Sequence, residues 1–348
     1  MAEKEVGQGA DGATPKVRVD ANSAAQGTHD IAVLSAGASL EAAAITPPNP
    51  ALKSDFWAVV LVLTAALGFS AKAIFIKLAY AAAPELTPIT LLSLRMIFAA
   101  PGFLLIAWWA SRGAKRLNKH EWLAVVALGL LGYYAASLLD FIGLQTVSAS
   151  LERLILFLSP TIVIIISAVF LKRKITRNDL LALAVTYVGL ALVVTHDATA
   201  DTSRTTIAGC LFVFASAICY SIYLVGGGQV MKTVGATRFA AYASLVSTAG
   251  ILIHFFAFNS VSVLAQDACV LGLSAWMAAI STVFPVVMIA IGIGRIGAPR
   301  AALLGVVGPV STIGLGYVFL HEPVTLLQLL GSALVIVGVV LVSVPKKA

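Results

Sequence analysis

Charge is scarce in this sequence. Asp, Glu, Lys and Arg make up only 11% of the 348 residues, and stretches such as 180–194 and 329–344 contain none of them. A water-soluble domain needs charged residues spread over its surface, and this chain is 59% hydrophobic with a mean hydropathy of +0.97. The composition therefore excludes a soluble fold and predicts an all-α integral membrane protein whose main solvent is lipid.

Residues that carry catalysis or bind metals are equally few. The three cysteines and five histidines show no metal-ligand spacing. The Gly-x-Ser-x-Gly pattern of a hydrolase and the Gly-x-x-x-x-Gly-Lys-Ser/Thr phosphate loop are both missing from the sequence. We therefore predict no catalytic residue, no metal and no cofactor, and we expect that the protein is not an enzyme.

Apolar segments dominate the chain after residue 52. Residues 1–52 are rich in small and polar residues and predict a disordered cytosolic tail. A polar linker at 196–206 separates two repeats, 53–195 and 207–345. Ten transmembrane helices are predicted, at 56–78, 87–109, 122–141, 148–171, 179–195, 207–225, 239–258, 270–294, 301–320 and 326–344.

The placement of lysine and arginine predicts how these helices are oriented. Alternate connections, together with the C-terminal end, carry fourteen of these residues, whereas the opposite connections carry only Arg204. Basic short loops stay in the cytosol during insertion, so both termini should be cytoplasmic in the inner or plasma membrane. Because the cations orient helices in this way, the net charge of +7 does not predict a nucleic-acid partner.

An internal repeat relates the two halves. A shift of 149 positions superposes Gly143 on Gly292, Pro160 on Pro309 and residues 169–171 on 318–320. Each half contains five predicted helices, and an odd number means that the second copy crosses the membrane in the opposite sense. The sequence thus predicts two inverted five-helix repeats.

Apart from Lys77 and Asp179 at helix ends, five charged residues fall inside the predicted helices of the first repeat. They are Lys72, Arg95, Asp140, Glu152 and Arg153. Charged side chains are costly inside a bilayer, so these residues are candidates for binding a zwitterion or an anion, or for coupling transport to a proton. The alternative interpretation, a purely structural lattice of salt bridges, stays open at this point.

Other candidates for the site come from proline and polar residues. Pro160 and Pro309 occupy repeat-related positions in apolar helices and predict kinks that could act as hinges. Ser159, Tyr134 and Tyr220 are predicted to offer polar atoms to a central cavity. Packing explains the kinks equally well, and interfacial anchoring or bonds between helices explain the hydroxyl groups.

The end of the chain carries the most specific pattern. Gly292 and Ala298, in the spacing Gly-x-x-x-x-x-Ala, precede a helix with a central proline, and residues 319–331 read Phe-Leu-His-Glu-Pro-Val-Thr-Leu-Leu-Gln-Leu-Leu-Gly. This resembles the EamA-like branch of the drug/metabolite transporter superfamily. The resemblance implies ten helices and a cavity lined by helices one to four and six to nine. The first copy has Lys-Arg-Lys at 172–174 where the family usually has Glu, so only Glu322 can supply that acid, and we expect it to cap the last helix.

These features together predict a function. We expect a secondary active transporter that moves a small metabolite, such as an amino acid, another carboxylated compound or a drug-like solute, by alternating access, in the direction of export. Its expected partners are the substrate, membrane lipid and a proton or another ion, and homodimerisation is left open. A channel or a non-transporting membrane scaffold is the alternative function.

Overall fold

The structure is a computed structural model that describes residues 56–170, 177–200, 204–296, 304–305 and 307–343. Within those ranges the chain forms helices and no strand. The predicted N-terminal tail, 1–52, lies outside the described residues.

Five helices, α1 to α5, make up the first repeat. α1 is Phe56–Ala82 and α2 is Pro88–Ser111. α3 consists of Lys119–Gly129, a π-helical segment Leu130–Ala135, and Ala136–Gly143. α4 consists of Ala149–Leu156 and Ser159–Phe170, and α5 is Arg177–Ala200.

The helices of the second repeat follow the same plan. α6 is Arg204–Val234 and α7 is Ala236–Phe258. α8 consists of Ala268–Ala278, a π-helical segment Ala279–Val283, and Phe284–Ile296. α9 is Val307–Leu320 and α10 is Leu326–Ser343. α5 and α6 extend into the segment predicted as a linker, 196–206, because a helix can continue into water once its apolar part has crossed the bilayer.

Polar side chains set where several of these helices begin. Asn118 and Glu121 form a reciprocal capping box with two bonds of 2.8 Å, which starts α3 three residues before the predicted position. The hydroxyl of Thr87 accepts a hydrogen bond from the Thr90 amide and precedes a proline at the first position of α2. Apolar runs locate the helices, and the caps define their ends.

The helix boundaries follow the predicted repeat. α3 and α8 begin at residues 119 and 268, and α5 and α10 begin at 177 and 326, both pairs 149 positions apart. The two π-helical segments also begin 149 positions apart, at Leu130 and Ala279. Matching irregularities at matching positions indicate that both halves have one fold.

Packing between the halves is reciprocal. α1 packs against α8 and α9, and its repeat counterpart α6 packs against α3 and α4. α2 packs against α7, and α5 packs against α10, so these helices contact their own counterparts. Such a pattern is expected when a pseudo-two-fold axis relates two interlocked repeats.

The helices are apolar enough for a bilayer. In the described ranges, seven are long and apolar enough to cross a membrane, and two shorter apolar helices are Val307–Leu320 and Leu326–Gly338. Large apolar side chains such as Leu105, Trp108 and Trp109 are exposed on the outside, as expected for lipid-facing positions. The count of ten membrane spans remains a prediction.

Candidate functional site

Three of the predicted residues meet in one buried group. The Nζ atom of Lys72 in α1 lies 2.6 Å from Oδ2 of Asp140 in α3 and 3.0 Å from Oε1 of Glu152 in α4. The side chains are 17%, 4% and 1% exposed, respectively. We call Lys72, Asp140 and Glu152 the acid triad. One ammonium group therefore holds together three helices of the first repeat through two carboxylates.

Hydrogen bonding in the acid triad is incomplete. Asp140 Oδ1 and both carboxylate oxygens of Glu152 are buried and have no hydrogen-bond partner among the described residues, because the 3.0 Å contact of Glu152 Oε1 with Lys72 is an ion pair without hydrogen-bond geometry. A buried acceptor without a donor costs free energy, and more so when it is charged. The triad also contains one more acid than base. These two properties are unusual for a group that serves only as a structural salt bridge.

Arg95 lies beside the triad and links α2 to the second repeat. Its Nε atom donates a 3.0 Å hydrogen bond to Thr282 Oγ1, in the π-helical segment of α8. The Thr282 hydroxyl in turn donates to the Met277 carbonyl at 3.1 Å. The guanidinium carbon lies 5.6 Å from the centre of the Phe141 ring. Arg95 is thus held by a neutral hydroxyl and an aromatic ring.

Arg153 is the least satisfied cation of the cluster. Its Nε atom is buried without a hydrogen-bond partner, and the guanidinium forms no ion pair with any acid of the described residues. The group lies 5.4 Å from the Phe157 ring centre and rests against Gly308 at the start of α9. A side chain at position 308 would meet Nη2 of Arg153 at 2.7 Å. Arg153 therefore reaches from the first repeat to the second.

The π-helical segments were not predicted from the sequence. Helix periodicity does not distinguish a π turn from an α turn, and although Pro285 follows the α8 segment and cannot donate to the Ser281 carbonyl, no proline lies in or directly after the α3 segment. The α3 segment contains Gly132, which faces Tyr223 of α6, and the α8 segment supplies Thr282 to Arg95. π turns are frequent at functional sites, and here one of them presents a ligand for a buried charge.

The two prolines stand in different settings. α4 is interrupted by a turn at Phe157 and Leu158, directly before Pro160. Proline has no amide hydrogen to donate to the Leu156 carbonyl, and the Ser159 hydroxyl donates to that oxygen instead at 2.7 Å. Pro309 is buried in the first turn of α9. Their action as hinges remains a prediction.

The predicted tyrosines do not both join the cluster. Tyr134 forms a 2.8 Å hydrogen bond with Nδ1 of His254 in α7. Tyr220 of α6 lies close enough to Arg153 for an electrostatic interaction and stacks on Tyr223. Tyr220 is therefore placed to contribute to the site, whereas Tyr134 links α3 to α7.

Glu322 corrects one expectation. It does not cap the last helix, because Thr325 and Gln328 form their own capping box at the start of α10. Instead, its carboxylate accepts hydrogen bonds from the Ala149 amide at 2.8 Å and from the Ser150 hydroxyl at 3.0 Å. An acid of the second repeat therefore caps α4 of the first repeat, beside Glu152.

We expect Glu322→Gln to lower the free energy of unfolding by about 1–2 kcal/mol, because charge-assisted bonds to a helix N-terminus become neutral ones. Thermal unfolding in detergent measures the loss. Glu121→Gln is the matched control, since Glu121 caps an exposed helix start within one repeat. Equal losses in the two variants would mean that the bond between repeats adds nothing beyond local capping.

Sequence reasoning also missed how closely the site borders the second repeat. Ser70 of α1 donates a 3.0 Å hydrogen bond to the carbonyl of Gly308, the residue that contacts Arg153. Serine and glycine are common in membrane helices, so neither gave a signal. No group of three or more His, Cys, Asp or Glu in the described part of the chain is arranged to hold a metal ion.

Comparison with known proteins gives one consistent result. A sequence model described as the EamA-like transporter family matches residues 56–195 and 207–344. The uncharacterized transporter YcbK of Bacillus subtilis is 32% identical over 279 residues, which cover 78% of this chain and 88% of the relative. The uncharacterized inner membrane transporter YicL of Salmonella typhimurium is 24% identical over 262 residues, which cover 73% of this chain and 84% of the relative.

A solved crystal structure has the same fold. It superposes with a TM-score of 0.58 at 18% sequence identity and covers 82% of this chain and 97% of its own. The two family matches coincide with the two sets of helices described above. The chain therefore belongs to the EamA-like transporter family and is a multi-pass membrane transporter.

Proposed function

We propose that this protein is a secondary active transporter that exports a small carboxylated metabolite by alternating access. In this proposal ten helices form two inverted halves with both termini in the cytosol, and the substrate carboxylate binds at Arg153. No nucleotide-binding loop is present in the sequence, so an ion or metabolite gradient supplies the free energy. In export, the outward gradient of a metabolite that accumulates in the cell drives transport and carries the coupled solute with it.

Arg153 is the observation that carries the proposal. A half-buried guanidinium whose Nε is buried without a partner, and which forms no ion pair with the described residues, offers planar donors that match a carboxylate. With both acids ionised, the five charged residues of the cluster carry three positive charges and two negative ones, which favours an anion over a cation. Substrate binding would give Arg153 the partner that the described residues do not provide.

The position of Arg153 also supports alternating access. Its guanidinium lies between α4 of the first repeat and Gly308 of the second. A site between two repeats opens to one side and then to the other when the repeats rock against each other. The break in α4 before Pro160 separates the half that carries Arg153 from the rest of the helix. Movement at this break would displace the binding residue directly.

We expect Arg153→Gln to reduce carboxylate transport by roughly 10–100-fold, because charge-assisted hydrogen bonds contribute about 1.5–3 kcal/mol. The measurement is counterflow in proteoliposomes with labelled pyruvate, gluconate, glutamate and alanine. Arg116→Gln removes the same charge from an exposed loop and serves as the matched control.

The outcomes separate the proposed function from other membrane roles. Saturable counterflow that Arg153→Gln abolishes and Arg116→Gln retains supports a transporter with its carboxylate site at Arg153. Flux that does not saturate would indicate a channel, and the absence of flux for every compound would indicate a scaffold. Equal counterflow by the two variants would place the carboxylate elsewhere.

A further inference from the structure

We propose that the acid triad binds one exchangeable proton, which moves together with the substrate carboxylate held at Arg153. This inference rests on the proposed function and adds the coupling ion, its site and the stoichiometry. The protein would then be an electroneutral proton and carboxylate cotransporter, in which one O–H bond forms on loading and breaks on release.

The hydrogen-bond inventory of the triad has room for one proton. Lys72 donates a hydrogen bond to Asp140 Oδ2 and forms an ion pair with Glu152, and Asp140 Oδ1 and both Glu152 oxygens remain buried acceptors without a hydrogen-bond donor among the described residues. One added proton turns one carboxylate into a carboxyl group, which supplies a donor and removes the excess negative charge. Two neighbouring acids that share one proton are a stable arrangement in a dry site.

The other charged and titratable groups around the triad do not supply this compensation directly. Arg95 of α2 is occupied by Thr282 and Phe141. Tyr80 of α1 donates to the Phe141 carbonyl at 2.9 Å. The remaining neighbours are Arg153 in α4, Tyr220 in α6 and Glu322, which caps α4 from the loop after α9. Arg95 and Arg153 both interact electrostatically with Asp140, and neither forms an ion-pair contact with an acid of the triad in the described part of the chain; of the two, only Arg153 also interacts with Glu152.

Competition for Arg153 couples the proton to the substrate. Arg153 follows Glu152 in the chain and interacts electrostatically with both acids of the triad. A carboxylate that binds Arg153 neutralises the charge that balanced the extra acid, so proton uptake by the triad becomes more favourable. By linkage, the proton strengthens carboxylate binding by the same factor. One bound proton and one bound carboxylate add no net charge, so the loaded site has the same charge as the empty site.

Electroneutral cotransport gives a direct test. Proteoliposomes that contain the pH indicator pyranine are exposed to pyruvate or gluconate, and protein-free liposomes provide the passive background. We expect the lumen to acidify as the carboxylate enters, and an inward pH gradient to accelerate uptake. A potassium diffusion potential set with valinomycin should change the rate by less than about twofold, because no net charge crosses the membrane.

Two triad variants separate coupling from binding. In Glu152→Gln and Asp140→Asn we expect the ratio of proton movement, measured with pyranine, to carboxylate movement, measured by labelled uptake, to fall at least about fivefold, since Arg153 is retained while the proton site is lost. A variant that shows counterflow is folded. Either variant alone is therefore enough to test proton coupling if the other one does not fold. Asp267→Asn, at an exposed position, is the matched control and should keep both signals.

Each result decides the inference. Uptake that is driven by the membrane potential and moves no protons, with counterflow intact, would overturn proton coupling and leave the transporter function standing. Unchanged pyranine signals in both triad variants would overturn the assignment to the triad. If no carboxylate shows counterflow in the unaltered protein, the proposed function fails and proton coupling fails with it.

Discussion

Replacing Lys72 with methionine should abolish transport and lower the free energy of unfolding by about 3–5 kcal/mol. Methionine keeps the apolar stem but leaves two buried carboxylates without a cation, and breaking a buried ion pair on one side has a cost of this size. Thermal unfolding in detergent and proteoliposome counterflow measure the two effects. Lys77→Met is the matched control on the same helix, where Lys77 forms no ion pair in the described structure.

A second substitution shows whether charge is the cause. The double variant Lys72→Met/Asp140→Asn has one buried negative charge fewer than Lys72→Met. We therefore expect it to regain at least half of the free energy of unfolding that Lys72→Met loses. Proton-coupled uptake should not return, because the remaining group no longer balances a proton against a cation. Equal instability of the single and double variants would mean that Lys72 contributes by packing and that the triad is not an electrostatic unit.

Gly308→Ala should reduce carboxylate transport by at least about tenfold and leave stability nearly unchanged. The added methyl group would meet Nη2 of Arg153 at 2.7 Å, and the guanidinium, as the end of a flexible side chain, is the group that moves. Alanine favours a helix over glycine by about 1 kcal/mol, which offsets part of the crowding. Counterflow kinetics and thermal unfolding together test this prediction.

Gly314 provides the control for this experiment. It lies in the same helix, α9, and a methyl group at position 314 would meet nothing within 4 Å. Gly314→Ala should therefore transport normally and unfold at an equal or higher temperature. If both alanine variants lose transport equally, helix rigidity is responsible and the contact between Gly308 and Arg153 is not.

The fold was predictable because its main determinants are local. Charge-free runs and alternating basic loops located the helices, and the register of 149 residues anticipated matching starts such as Lys119 and Ala268. The candidate residues Lys72, Asp140 and Glu152 were identifiable because any ionisable residue in an apolar helix is conspicuous. Buried charges need partners, and these three are 3.0 Å or less from a partner in the structure.

Relations between distant segments could not be predicted in the same way. A single sequence does not show which side of α9 faces Arg153 of the other repeat. The contact between Arg153 and Gly308 was therefore missed. Glu322 was assigned to the nearest helix start in the sequence, whereas the amide of Ala149, in the other repeat, is its partner. The π turns were missed because they change hydrogen bonding without changing composition.

Reciprocal packing of the repeats has a consequence for biogenesis. The Ser70 hydroxyl on α1 bonds to the Gly308 carbonyl on α9, 238 residues later in the chain. At about 5–20 residues per second, a ribosome needs roughly 10–50 s to synthesise the intervening segment. During this interval the first helix stays in the bilayer without its partners from the second repeat. Premature release of the nascent chain would therefore leave the surface of α1 that packs against α8 and α9 exposed to lipid and to quality-control proteases.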